Sequence, residues 1–235
     1  MAELVRDVPA RVLAIYAHPD DPDVSAGGSL AAWAAAGSEV HVCIAADGGK
    51  GSSDASVDPA GLVRRRRGEV AEAGRVLGVA AHHWLGGRDG EIDDTPELRE
   101  ALVGLVRRLR PDAVVGADPT AVFFGQSYVN HRDHRSLGWA TIDAVSPAAG
   151  SPHYFPGAGP AHRVATLYLS GTLEPDVWVD IASSVEAKAA AVACHESQVG
   201  EPGEWLRSVV RQRAEEAGRA AGVRYAEGFR RVRLP

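Results

Sequence analysis

The chain has 235 residues, and its 31 acidic and 25 basic side chains give a formal net charge of −6 at pH 7. This mildly acidic balance lacks the clustered basic excess that nucleic acids require, so we exclude a dedicated nucleic-acid binder. With 45% hydrophobic and 24% charged residues, the composition is that of a folded globular protein and excludes disorder throughout.

The first part of the chain predicts strands that alternate with helices. The apolar run at residues 11–17 predicts a strand covered on both faces, and residues 39–46 predict a second one. Between them, residues 29–36 are rich in Ala and Leu and predict a helix that Gly37 ends. A polar loop follows, and residues 62–77 carry apolar side chains at helical spacing.

The same alternation continues toward the C-terminus. Further strands are predicted at residues 82–85, 113–117, 164–170 and 177–181, with a last edge strand at 228–234. Further helices are predicted at residues 96–109, 133–145, 184–196 and 204–221.

This alternation predicts the fold class. Strands that alternate with helices indicate a mainly parallel sheet with right-handed crossovers. We therefore predict a single α/β domain over residues 1–235, Rossmann-like, with helices on both faces of the sheet. The segment 146–160, which holds four prolines and three glycines, is predicted to be a lid loop.

The sequence also predicts a location. No window of about 18 apolar residues occurs, and the N-terminus lacks the basic and apolar runs of a signal peptide. We therefore expect no membrane span and a cytoplasmic protein. The sequence does not fix the oligomeric state, and a homo-oligomer is among the options.

A first polar motif, His18-Pro19-Asp20-Asp21, directly follows the first predicted strand. Ligands bind at the carboxyl ends of strands in open α/β sheets. On a turn stiffened by proline, His18 and Asp21 can converge on one metal ion, because imidazole nitrogen and carboxylate oxygen are both ordinary zinc donors. Asp20 then remains free. The alternative is that Asp20 and Asp21 cap a helix and His18 is a surface residue.

A second polar motif, Asn130-His131-Arg132-Asp133-His134, opens a predicted helix. Two histidines three residues apart share one helix face and can point into one pocket. In isolation, a capped helix with solvated histidines is the simpler interpretation. Together the two motifs supply three ligands and spare acid/base groups. Three protein ligands with an open position are typical of a catalytic zinc.

These motifs resemble those of the zinc-dependent de-N-acetylases related to N-acetylglucosaminyl-phosphatidylinositol de-N-acetylase and the bacterial LmbE-like proteins. The segment 18–21 is similar to the family's AHPDD signature, and 131–134 to its H-x-D-H element. The resemblance continues at residues 27–30, 47–49, 66–79, 85–90 and 188–198, and it spans roughly residues 11 to 230.

The resemblance implies a site and an activity. It implies one zinc ion per chain, or another divalent metal, held by His18, Asp21 and His134, with Asp20 as the general base. The remaining implied residues are His131 as a cationic donor to the oxyanion, Asp133 as the group that orients His131 and raises its pKa, and Arg66 and Asp89 as ligands of sugar hydroxyls. The implied reaction removes an N-acetyl or other N-acyl group from a glucosamine-type sugar conjugate.

The chain departs from the family pattern at two places. Pro22 and Asp23 follow the Asp pair where relatives often have Glu, and Val129 occupies the position of a tyrosine, with Tyr128 one residue away.

The sequence leaves two other functions open. Two histidines and a carboxylate are also the ligands of non-haem Fe(II) oxygenases, and a non-catalytic sugar-binding protein could keep the same fold.

Overall fold

The computed structural model describes residues 3–235, which form one eight-stranded sheet, a small hairpin and seven α-helices. The sheet strands are β1 (Glu3–Leu4), β2 (Arg11–Tyr16), β3 (Glu39–Ala46), β4 (Ala81–Gly87), β5 (Ala113–Ala117), β8 (Thr166–Ser170), β9 (Val177–Asp180) and β10 (Ala226–Arg233). The hairpin pairs β6 (Phe123–Phe124) with β7 (Tyr128–Val129).

The helices cover both faces of this sheet. They are α1 (Asp21–Ala35), α2 (Pro59–Leu77), α3 (Pro96–Leu109), α4 (Arg132–Asp143), α5 (Val185–Ala193), α6 (Glu196–Val199) and α7 (Glu204–Ala221). One core joins the sheet to α1, α2, α5 and α7, and a second core joins the opposite face to α3 and α4. Within residues 3–235, every helix is too short or too polar to cross a bilayer.

The strand order is β1-β9-β10-β8-β5-β2-β3-β4. The run from β8 to β4 is parallel throughout, and β10 is antiparallel to both of its neighbours. The predicted fold, an α/β domain with a mainly parallel sheet and helices on both faces, is therefore confirmed. The polar loops after β2, β3, β4 and β5 all leave the same carboxyl edge, where such folds bind ligands.

Two sequence predictions about elements were wrong. The first helix begins at Asp21 rather than at residue 29. Pro22 fits its first turn, and Gly27 and Gly28 lie inside the helix, where Gly28 packs closely against Ile181. The last strand is interior rather than an edge, because β9 lies outside β10 and β1 pairs in parallel with β9.

Residues 146–160, predicted to be a lid loop, do not lie over the motifs. The buried guanidinium of Arg107 donates to carbonyl groups of this segment, among them those of Ala148, Ser151 and Tyr154. Just after it, His162 lies 2.8 Å from the carbonyl of Pro111, before the start of β5. The segment therefore lies at the amino edge of the sheet, opposite the motifs.

The close contact at Gly28 gives a stability prediction. A Cβ at this position would lie 2.6 Å from Cδ1 of Ile181, so Gly28→Ala should overpack α1 and destabilise the protein by about 1–3 kcal/mol. The matched control is Gly68→Ala in α2, where a Cβ would meet open space and better helix propensity should add up to about 1 kcal/mol. Urea unfolding of both variants checks this, and equal effects would contradict it.

Candidate active site

The motifs meet in one cavity of about 240 Å³ at the carboxyl edge of the sheet. Seven of the predicted site residues line it, and Asp133 lies fully buried beneath it. The predicted residues that line it are His18, Asp20, Asp21, Arg66, Asp89, His131 and His134. The loop after β2 and the start of α4 thus bring together residues more than 100 positions apart in the chain.

Three donor atoms in this cavity form a compact triangle. Nδ1 of His18 and Nε2 of His134 lie 3.1 Å apart, and Oδ2 of Asp21 lies 3.4 Å and 3.1 Å from them. In a tetrahedral zinc site with bonds of about 2.0–2.2 Å, ligand atoms lie roughly 3.3–3.6 Å apart. Two imidazole nitrogens and a carboxylate oxygen at this spacing fit a divalent metal.

Asn130 sets the orientation of the His134 ring. Its Nδ2 donates to the carbonyl of Ala121 at 2.7 Å, so its Oδ1 must be the atom that lies 2.9 Å from Nδ1 of His134. An amide oxygen only accepts, hence the proton of His134 sits on Nδ1 and the lone pair on Nε2 faces the triangle. This is the tautomer that a metal ligand requires.

Two carboxylates orient His18 from its other side. Its Nε2 lies 3.1 Å from Oδ1 of Asp89 and 3.2 Å from Oδ2 of Asp133, which leaves Nδ1 for the metal. Asp133 is itself fixed by the backbone N–H groups of Gly90 and Ile92.

Asp89 was predicted to bind sugar hydroxyls. It lines the cavity, but its Oδ1 contacts His18 and its Oδ2 accepts the N–H of Lys50.

These contacts perturb the titration of the ligands. Burial lowers the pKa of His18, but hydrogen bonds to Asp21 and Asp89 outweigh it and raise that pKa to about 10. Burial likewise raises the pKa of Asp21, while hydrogen bonds to His134 and His18 hold it well below its usual range. Without a metal, the site therefore compensates the Asp21 carboxylate with a proton on His18.

Asp20 and Arg66 form a partly buried ion pair at the side of the cavity. Nη2 of Arg66 donates to Oδ1 of Asp20 at 2.6 Å, and Nη1 donates to the carbonyl of Gly48. Arg66 is only 2% exposed, although its neighbours Arg65 and Arg67 are exposed. Asp20 stands at the N-cap position of α1, but its carboxylate binds Arg66 instead of capping the helix. Arg66 therefore holds the predicted base, and a role toward sugar hydroxyls stays a prediction.

The predicted contact by which the Asp133 carboxylate orients His131 was wrong. The Asp133 carboxylate contacts His18, and His131 meets Asp133 through the backbone, where its Nδ1 accepts the N–H of Asp133 at 3.2 Å. Burial and the neighbouring His18 lower the pKa of His131. The Asp133 charge raises that pKa, as predicted, but is outweighed, so the net shift is downward. His131 nevertheless lines the cavity, with its ring 4.8 Å from that of His18.

The structure also accounts for the two departures from the family pattern. Asp23 is buried, and its Oδ2 lies 2.6 Å from Nε2 of the fully buried His195, so it ties the first turn of α1 to the segment after α5. At the second departure, Tyr128 lines the cavity although Val129 occupies the expected position. The hairpin β6–β7 carries Tyr128 to the rim, which sequence spacing alone does not reveal.

Three further cavity residues were not predicted as site residues: Lys50, Gly51 and Gln198. A Cβ at Gly51 would lie 2.6 Å from Nη1 of Arg66 and 2.9 Å from Oε1 of Gln198, so the glycine allows the loop to approach both side chains. The similarity at residues 188–198 was the only sequence signal for Gln198.

Comparison with known proteins identifies the family. The model of the family PIG-L, described as GlcNAc-PI de-N-acetylase, matches residues 13–145, which include every predicted site residue. The chain belongs to the PIG-L family. The predicted LmbE-like resemblance is thereby confirmed.

Individual PIG-L relatives cover more of the chain. A diacetylchitobiose deacetylase of Thermococcus kodakarensis is 35% identical over 228 residues, 94% of this chain and 83% of the relative. A 1D-myo-inositol 2-acetamido-2-deoxy-alpha-D-glucopyranoside deacetylase of Saccharopolyspora erythraea is 33% identical over 66% of this chain and 62% of its own length. The structure of N,N'-diacetylchitobiose deacetylase from Pyrococcus horikoshii superposes with a TM-score of 0.86 at 31% identity, over 97% of this chain and 88% of that one.

The raised pKa of His18 gives a test on the metal-free protein. With a pKa of about 10, His18 should be doubly protonated at pH 8, where an unperturbed imidazole is neutral, while His131 should be neutral. Nitrogen NMR of the histidine side chains measures the protonation states of His18 and His131. The His18→Gln variant identifies the His18 signals. The metal must displace this proton, so zinc affinity should fall by about tenfold per pH unit below pH 10. A neutral His18 at pH 8 would contradict the account.

Proposed function

We propose that the protein is a zinc-dependent N-deacetylase that removes the acetyl group from a glucosamine-type sugar conjugate. The observation that carries this proposal is the convergence of two histidines and Asp21 beside a separate carboxylate, Asp20, that Arg66 holds in place. The deacetylase relatives, at 31–35% identity, support the same reaction. The substrate is then a small sugar conjugate.

His18, Asp21 and His134 would hold the metal. Two nitrogen donors and one oxygen donor, with room left in the cavity, suit zinc at a catalytic site. When bound, zinc supplies a Lewis acid that lowers the pKa of water and polarises an amide carbonyl. The protein's own contribution is to keep Nδ1 of His18 and Nε2 of His134 aimed at one point, through Asn130, Asp89 and Asp133.

Asp20 is assigned as the general base. Arg66 binds Oδ1, so Oδ2 can take the proton of a water molecule that attacks the acetamide carbonyl carbon. As the C–N bond breaks, the same oxygen can return the proton to the departing amine, which gives acetate and the free amino sugar.

His131 is assigned to the oxyanion. Because its Nδ1 accepts a backbone N–H, its Nε2 carries the proton and can donate a hydrogen bond to the carbonyl oxygen. A neutral imidazole donor is compatible with its lowered pKa. Tyr128, at the rim of the same cavity, offers a second donor from the hairpin.

The other functions are less well supported. An Fe(II) oxygenase would also use two histidines and a carboxylate, but it has no use for a base held beside the ligands. A non-catalytic sugar-binding protein does not require Asp20, His131 and the three ligands to meet in one cavity. Zinc as the native metal, the cytoplasmic location and a homo-oligomer stay predictions.

The base assignment predicts the effect of Asp20→Asn. The variant should bind one zinc ion as the wild type does, because Asp20 is not a ligand, while kcat falls by about 10²- to 10⁴-fold. Acetate release from N-acetylglucosamine conjugates and metal analysis measure the two effects. Asp54→Asn, with the same change of charge in an exposed loop, is the control. A fully active, zinc-loaded Asp20→Asn enzyme would exclude the assigned role.

The ion pair predicts a second effect. Lysine cannot bind Asp20 and the Gly48 carbonyl together as the guanidinium fork does, so Arg66→Lys should lower kcat/KM by about 10- to 100-fold with zinc retained. Arg64→Lys, on an exposed turn of the same helix, should behave as the wild type. Equal activities of the two variants would show that Arg66 does not position the base.

A further inference from the structure

A second, larger hollow adjoins the catalytic cavity. It has a volume of about 450 Å³ and lies between the first turn of α1, α5, α6, α7 and β10; we call it the α7 groove. Volumes of roughly 300–1,000 Å³ are typical of small-molecule sites. The groove is therefore large enough to hold a substituent of a substrate.

Its walls are mainly aliphatic. Leu206, Val209 and Val210 line it from α7, and Val24 lines it from α1. Trp205 stands at its edge with 54% of its surface exposed, and Val24 and Val209 are also exposed. Exposed apolar side chains gathered around a concave surface mark a binding site rather than scattered surface residues.

Two of the three charged side chains that line the groove, Lys188 and Glu227, are paired with each other. Nζ of Lys188 lies 2.5 Å from Oε1 of Glu227, and both side chains are buried. The same carboxylate accepts the backbone N–H groups of Gly28 and Ser29. These contacts satisfy Glu227 and the Lys188 charge internally. The third charged side chain, Arg213, is exposed on α7. The buried part of the groove therefore offers a ligand no free charge, which favours an apolar ligand there.

The groove adjoins the catalytic cavity. Gln198 lines both hollows. Val24, in the wall of the groove, donates its N–H to the carbonyl of Asp20, so the groove begins one helical turn from the assigned base. A ligand that places its amide at Asp20 can therefore extend into the groove.

We propose that the α7 groove binds an apolar aglycone, an alkyl or aryl group on the anomeric oxygen of the N-acetylated sugar. This inference rests on the proposed deacetylase function. The names of the relatives share an acetyl group and differ in what the sugar is attached to, a second sugar in one and inositol in another. The aglycone is thus the variable part of the substrate, and the aliphatic walls select an apolar one.

The test compares methyl, butyl and hexyl β-glycosides of N-acetylglucosamine. Each buried methylene should raise kcat/KM by up to about fourfold, and the hexyl glycoside should exceed the methyl glycoside by at least about tenfold. Calorimetry of the same compounds should show the same order of affinity. No gain with chain length would overturn the proposal.

Two tryptophan variants locate the effect. Trp205→Ala should reduce the hexyl-to-methyl ratio by about fivefold or more, because it removes apolar surface from the groove. Trp139→Ala is the matched control, since Trp139 is similarly exposed, at 46%, on α4. An unchanged hexyl-to-methyl ratio in Trp205→Ala overturns the proposal. If Trp205→Ala changes only the oligomeric state of the protein, the proposal is also overturned, because the groove is then a contact between two copies of the chain.

The remaining outcomes separate this inference from the proposed function. If hexyl glycosides bind more tightly in a Trp205-dependent manner but no acetate is released, the groove assignment stands and the deacetylase function fails. If acetate is released without any preference for chain length, the function stands and the groove assignment fails. A Trp205-dependent preference for longer N-acyl groups instead of longer aglycones would also overturn the proposal.

Discussion

The site depends on the hydrogen bonds that orient two imidazole rings from behind. His134 is fixed by the Asn130 oxygen, and His18 by Asp89 and Asp133. Each ring presents its remaining nitrogen to the same point, where Asp21 adds an oxygen. Such outer contacts matter because a metal site loses affinity when its ligands are free to turn. The fold supplies them from two segments at one sheet edge, the loop after β4 and the entry into α4.

A second constraint separates two adjacent carboxylates. Asp20 and Asp21 are neighbours in the chain, yet Asp20 binds a guanidinium and Asp21 binds two imidazoles. Their roles follow from these partners, since identical side chains differ in function only through their surroundings. Arg66 reaches Asp20 because the glycine loop after β3 leaves room for its buried side chain. The proposed ligand set and the proposed base are therefore parts of one packed arrangement.

Much of this could be predicted from the sequence. Hydrophobic periodicity predicted most elements, and α3, β5 and α7 have the predicted bounds, because long apolar repeats dominate local structure. The convergence of His18, Asp21 and His134 could be predicted because two short motifs each follow a strand, and the family resemblance implied their role as metal ligands. The prediction missed the first turns of α1. Two adjacent glycines usually indicate a helix boundary, and only the folded structure shows that they pack inside the helix. Residues 146–160 could not be placed from the sequence, because composition indicates a loop but not the sheet edge at which the loop lies.

The long-range contacts could not be predicted. The pairing of Asp20 with Arg66, and of Asp133 with His18 rather than His131, joins segments that only the folded sheet edge brings together. The position of Tyr128 depends on a two-residue hairpin, and Asp23 finds its partner 172 residues away. Side-chain partners across such separations are set by packing, which residue types and spacing do not encode.

The central claim is that His18, Asp21 and His134 hold the metal while Asp20 stays free. Anomalous diffraction at the zinc edge from zinc-loaded crystals tests this most directly. The account predicts one zinc peak at about 2.0–2.2 Å from Nδ1 of His18, Nε2 of His134 and an oxygen of Asp21, with Asp20 still paired to Arg66. A zinc ion bound by Asp20, or by His131 and Asp133 in place of Asp21 and His134, would contradict it.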